Sequence, residues 1–223
     1  MLDVQDSVTN TIYSVPMSNP SSTKKALAIC GIVAPIIWVA ALVIGNILDP
    51  TYSQVVKTVS ELIERGAPNR DLLNGIFVIY NLFSIAFAVG LYYGLSKGWT
   101  RTVVVVALII NGVLGVAWIL FFPLDVNGAS ISLTGMLHLV VGLIVIPLTF
   151  AIELAFWRSA RKDDRWRSYG KFSLAIFAAT LISGLLTVAL LNSDIRGLLE
   201  RIFIGSTLLW MEVLAIKLYK LKI

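Results

Sequence analysis

The chain has 223 residues, 57% of them hydrophobic and 14% charged, far more apolar than the roughly 45–50% of an ordinary soluble domain, so its solvent is lipid. A net charge of +5 does not make a nucleic-acid footprint here, because the basic residues are dispersed between apolar runs instead of forming one patch. One cysteine, Cys30, and one histidine, His138, exclude an intramolecular disulfide and a zinc site of the Cys/His type, and no motif calls for a cofactor or another metal.

Residues 1–23 are rich in Ser, Thr, Asn and Pro without apolar periodicity, which reads as a disordered tail. Six long apolar runs follow, over approximately 26–48, 72–95, 103–122, 137–157, 172–191 and 198–218. Each reaches the roughly 20 residues needed to cross about 30 Å of hydrocarbon at about 1.5 Å per residue. Their continuity, without the alternation of barrel strands, makes them helices, since lipid leaves no backbone group unpaired. The fold class is therefore all-α, a polytopic six-helix transmembrane bundle.

Thirteen of the Lys and Arg residues fall on the side of the termini and five on the other. The excess of positive charge inside predicts a multi-pass protein of the cell membrane with both N- and C-termini cytoplasmic. It also places the basic segment from Arg158 to Lys171 in a cytoplasmic loop.

The first outer loop, from Asp49 to Asp71, spaces Val55, Val56, Val59, Leu62 and Ile63 at helical intervals before Gly66 and Pro68. This predicts a short interfacial helix with its apolar side on the membrane and Ser60 and Glu61 on its polar face. Within the spans, Asn81 and Asn111 each lie nine to eleven residues from the outer end, roughly 14–17 Å deep, where the two amides could meet and join their helices. Ser173, Thr180 and Thr187 recur every seven residues as a packing stripe, and Pro35 and Pro147 are expected to kink their helices. Glu153 and Glu212 lie toward the inner boundary, with Arg158 and Lys217 near enough in sequence to neutralise them; a proton or cation path is the other reading.

From Ile202 to Ile216 only 15 uncharged residues are available, so the last span must also take in Glu200 and Arg201. Charged residues there should face the bundle and find partners. Ser60, Glu61, Asp125, His138, Glu200 and Arg201 thus lie at one level on four segments. One reading is helix-end polarity, with Arg201 neutralising Glu200 or Asp125. The other is a ligand-binding site facing the outer leaflet, with His138, Asp125 and Glu61 as candidate catalytic groups.

At these same residues the chain resembles the domain-of-unknown-function 998 family of six-span membrane proteins. The likeness rests on the first span, on YSQVVKTVSELIERGAPN, on FPLD before the span opened by His138, and on GLLERIFIGSTLLW in the last helix. It covers about Ala26 to Leu218 and implies the same topology and an outer-face polar cluster at Ser60, Glu61, Asp125, His138, Glu200 and Arg201, but no activity. Three functional readings stay open. The first is an integral membrane protein that binds a lipid, small amphiphile or membrane partner. The second is a lipid-directed hydrolase or transferase using His138 with Asp125 or Glu61, Arg201 holding an anionic headgroup. The third is a small proton-coupled transporter. Nothing in the sequence sets the oligomeric state.

Overall fold

The computed structural model describes residues 20–126 and 129–221. The residues 1–19 of the expected tail lie outside the described residues, whereas Pro20 to Thr23 form the start of the first helix. Seven helices follow in order: α1 Pro20–Leu48, α2 Val59–Leu62, α3 Arg70–Gly94, α4 Trp99–Phe121, α5 Leu133–Ala160, α6 Arg167–Ala189 and α7 Arg196–Lys220. All but α2 are long and apolar enough to cross a membrane. Among the described residues there is no strand.

Each spanning helix packs on its neighbours in sequence, α1 on α3, then α4, α5, α6 and α7, and α7 returns to α1. The result is a closed ring of six, its outer surface made of side chains such as Leu143, 74% exposed, and Val188, 70% exposed. Surfaces this apolar belong against lipid. Pro35 and Pro147 both sit inside helices that continue through them.

Two apolar clusters fill the ring. At the end that carries the described termini, Phe87, Leu91, Phe156, Trp166, Leu214 and Leu218 are fully buried. Phe156 meets Trp166 and Trp210 edge to face, each pair with centroids 5.6 Å apart. Trp166 also donates from Nε1 to the Gly94 carbonyl at 3.1 Å, tying the α5–α6 loop to the end of α3. Lys24 Nζ donates to the Leu221 carbonyl, so the beginning of α1 and the end of α7 are bonded to each other.

The α5–α6 loop is held by Asp163, whose carboxylate accepts from Ser96 Oγ at 2.7 Å and from Arg165 Nε and Nη2 at 2.9 and 2.7 Å. The Arg165 hydrogen bonds bring the carboxyl down to about 2. A carboxyl depressed in the folded state stabilises it above the unfolded value near 4, and that contribution is lost as pH falls from about 4 toward 2. Because Arg165 is 44% exposed, solvent screening reduces the effect to about 1–2 kcal/mol. Asp163→Ala should lower the melting temperature at neutral pH and flatten its fall between pH 4 and 2. An unchanged acid limb in the variant would show that Asp163 is not the group being titrated.

At the other end, Trp38, Ala41, Tyr52, Val59, Leu62, Leu73, Phe77 and Leu208 form the second cluster. Here the structure corrects the expectation for the first loop. The helix is a single turn, Val59–Leu62, and its apolar residues pack into the bundle, not onto the membrane surface. Thr58 caps it in a reciprocal capping box with Glu61, while Val55 stays 44% exposed outside it. The apolar spacing was real, but it serves a plug seated between α1, α3 and α7, and the backbone around Ser53 to Lys57 follows hydrogen bonds to α7 instead of extending the helix.

Candidate functional site

Beneath α2 the ring surrounds a partly open cavity of about 280 Å³. Its wall is mostly apolar, with Phe77, Trp118, Ile119, Val145 and Phe203 among the lining side chains, and α2 contributes Val59 and Ser60 as its roof. Polar groups enter at two levels: Ser60, His138 and Glu200 near the roof, and Asn81, Asn111, Thr149 and Thr207 deeper in the membrane. A void of about 30 Å³ continues past Asn81 and Asn111 to Glu153, and below it the buried cluster of Phe156, Trp166, Leu214 and Leu218 fills the bundle.

The six residues expected to gather at this end do not form one cluster. Ser60 and His138 meet, Ser60 Oγ lying 3.1 Å from His138 Nε2, and His138 Nδ1 lies 2.7 Å from the Phe122 carbonyl. The Trp118 ring packs on the imidazole with centroids 4.9 Å apart, and His138 is 7% exposed. Glu200 shares the same wall and accepts from the Val59 amide at 2.6 Å, which fixes the start of α2.

The other three are engaged elsewhere. Asp125 accepts from the Ser132 amide at 2.7 Å and hydroxyl at 2.9 Å, closing the entry to α5, and the Ser132 amide holds its carboxyl below the usual range. Arg65 adds an ion pair to Asp125 at 3.3 Å. Glu61 accepts from Thr58 and pairs with Arg196 at 2.9 Å. Arg201 pairs with neither Glu200 nor Asp125. It donates to Tyr52 Oη at 2.6 Å, to Gln54 Oε1 at 2.6 Å, and to the Lys57 and Gly197 carbonyls at 2.7 and 2.8 Å. Burial pushes the Tyr52 phenol up to about 12, so it stays protonated and donates to the Thr58 carbonyl at 2.5 Å.

Deeper in the membrane the two asparagines do not bond to each other. Asn81 donates to Phe77 of its own helix at 2.8 Å and packs on Gly115, where a methyl group would collide with its amide. Asn111 donates to Thr149 Oγ1 at 3.2 Å, joining α4 to α5. Nor is Glu153 neutralised by Arg158 or Lys217. It is fully buried, accepts from Thr180 Oγ1 at 2.8 Å, and leaves Oε1 without a partner. Ser173 donates to the Glu153 carbonyl and accepts from Trp210 Nε1, both at 2.8 Å, so the polar stripe of α6 faces α5 and α7.

Arg65, Arg196, Tyr52, Gln54 and Trp118 are the site's unforeseen members. Arg65 and Arg196 enter the sequence reading as orienting charges, and Tyr52, Gln54 and Arg65 fall within YSQVVKTVSELIERGAPN, but none of the five carries a signal that names its partner.

A family model of proteins of unknown function (DUF998) matches residues 32–217. The chain belongs to that DUF998 family. The matched span contains α2, the cavity and every residue that closes it. No curated protein and no solved structure matches the chain. DUF998 membership therefore attaches no activity to the six-helix architecture, and the chemistry rests on the cavity.

Proposed function

We propose that this is an integral protein of the cell membrane that holds a small amphiphile in the cavity beneath α2, with both ends of the chain in the cytoplasm. The observation that carries the reading is the cavity itself, about 280 Å³ with an apolar wall and polar groups at its roof and at its floor. That volume is near the lower end of small-molecule sites, roughly 300–1,000 Å³, and the composition matches theirs: apolar lining with a few polar groups to fix orientation. An amphiphile places its chain along Phe77, Ile119, Val145 and Phe203 and its head at Ser60, His138 and Glu200. The charge asymmetry supports the sidedness. A membrane-impermeant thiol reagent on intact cells should label Ala129→Cys and spare Lys97→Cys; the opposite pattern inverts the orientation.

Thr187 lines the cavity wall, and Thr187→Trp should fill the space. Native mass spectrometry of gently solubilised protein should find one selected amphiphile bound to the wild type and absent from the variant, with the melting temperature preserved. Equal, unselective lipid in both preparations would sink the proposal. The lipid-directed enzyme with Asp125 or Glu61 beside His138 has no support in the geometry, because both carboxylates are committed to Ser132, Thr58 and arginines. The transporter reading gains none either, since large side chains fill the bundle below Glu153.

A further inference from the structure

We propose that Ser60 and His138 form a nucleophile and base pair that cleaves or transfers the acyl group of an uncharged ester held in the cavity. This rests on the amphiphile reading of the same cavity.

The proton positions follow from the partners. A carbonyl oxygen only accepts, so His138 Nδ1 carries the hydrogen and donates to Phe122 O at 2.7 Å. Nε2 then presents a lone pair, and Ser60 Oγ at 3.1 Å is its donor. A hydroxyl bonded to an imidazole whose other nitrogen is oriented by a third group is the arrangement that activates a serine. Here the third group is a backbone carbonyl in place of a carboxylate, since Asp125, three residues beyond Phe122, caps α5.

The pair opens onto the space where a substrate would lie, since both residues line the cavity. It is also held in place. The Glu200 bond to the Val59 amide and the Thr58 capping box fix α2, and the Trp118 ring restrains the imidazole. Trp118 also lines the cavity, so the ring that restrains the imidazole forms part of the wall beside the pair. The mostly apolar lining of the cavity makes a charged substrate costly to desolvate, which selects a neutral acyl ester.

In the first step Ser60 Oγ bonds to the ester carbonyl carbon as its proton passes to His138 Nε2. The tetrahedral intermediate then expels the alcohol oxygen, which takes that proton from Nε2 and leaves an acyl-Ser60 ester. Water, or an acceptor alcohol, attacks the acyl carbon in turn, giving its proton to Nε2. Collapse releases the acid or the new ester and returns the proton to Ser60 Oγ.

The test uses a long-chain alkyl fluorophosphonate on the full chain in membranes, where Ser60 Oγ would displace fluoride and form a stable phosphonyl ester. Peptide mass spectrometry should find one adduct, on Ser60, absent in Ser60→Ala. His138→Gln retains a polar side chain at the Phe122 carbonyl and removes the base. It should slow labelling by roughly 100-fold, the scale of general-base catalysis, while the melting temperature is kept. No Ser60 adduct, or equal rates in wild type and His138→Gln, overturns the pair. If the wild type still retains one selected amphiphile, only the pair fails; if it retains none, the cavity reading fails with it.

Discussion

Arg201→Leu should destabilise the protein by about 3 kcal/mol or more, and Arg201→Lys should recover little of the loss. The guanidinium fans its donors over four acceptors, Tyr52 Oη, Gln54 Oε1, and the Lys57 and Gly197 carbonyls. Leucine leaves the first three facing a methyl group at the rim of an apolar core. Each buried polar group stripped of its partner costs about 1–3 kcal/mol, and bonds to a charged donor are at the upper end. Lysine restores the charge but not the planar fork that reaches several acceptors at once. Thermal unfolding in detergent measures the loss. Limited trypsin digestion locates it, because Lys57 and Arg65 lie on the segment that Arg201 pins and should become cleavage sites before those of the α5–α6 loop. A variant of wild-type stability and digestion pattern would mean that α2 is held without Arg201, by Val59, Leu62, the Glu200 bond and the Glu61–Arg196 pair.

Gly197→Val should be as damaging by a different route. At the start of α7 the chain passes against the loop backbone, with the Leu198 amide donating to the Val55 carbonyl at 3.0 Å. A Cβ at position 197 would lie 2.9 Å from the Val55 oxygen and nearer still to the Lys57 oxygen. Both are backbone atoms held in hydrogen bonds to α7, so neither can rotate aside as a side-chain tip does. Overpacking of a core usually costs about 1–3 kcal/mol; against rigid backbone on both sides we expect about 3 kcal/mol or above, read again by unfolding and trypsin. Since Gly197 and Arg201 anchor the same segment, the double variant should lose less than the sum of the two. Additive losses would show that the two anchors act independently.

The six spans were legible because a helix in lipid needs only length and apolarity, and both are properties of contiguous sequence. The roof helix was legible as a pattern and misread in its direction. Periodicity at Val59 and Leu62 reports an apolar face but does not say whether lipid or protein covers it, and here Trp38, Leu73 and Phe77 do. The polar residues were legible as a level in the membrane and not as a set of partners. Helices such as α5 and α7 are apolar around much of their circumference, so nothing in the chain shows that His138 faces Ser60 while Asp125 turns back to Ser132. Arg196 lies one helical turn before Glu200, the spacing of a local ion pair, yet it reaches across to Glu61. The decisive partner of His138, the Phe122 carbonyl, belongs to the backbone and has no sequence signature at all.

The ring order of the bundle bears on how the chain could be rewired. Around the ring each span is followed by the next in sequence, apart from a lesser contact of α3 with α7 across it, and where α7 meets α1 Lys24 already bonds to Leu221. A circular permutant that joins these ends by a short linker and opens the chain at Lys97 would keep the same six neighbours around the same cavity. Each helix would also run in its original direction, because the old and new ends lie at the same end of the bundle. Opening the chain at the α2 end instead would start synthesis on the opposite side and set every span against its flanking charges.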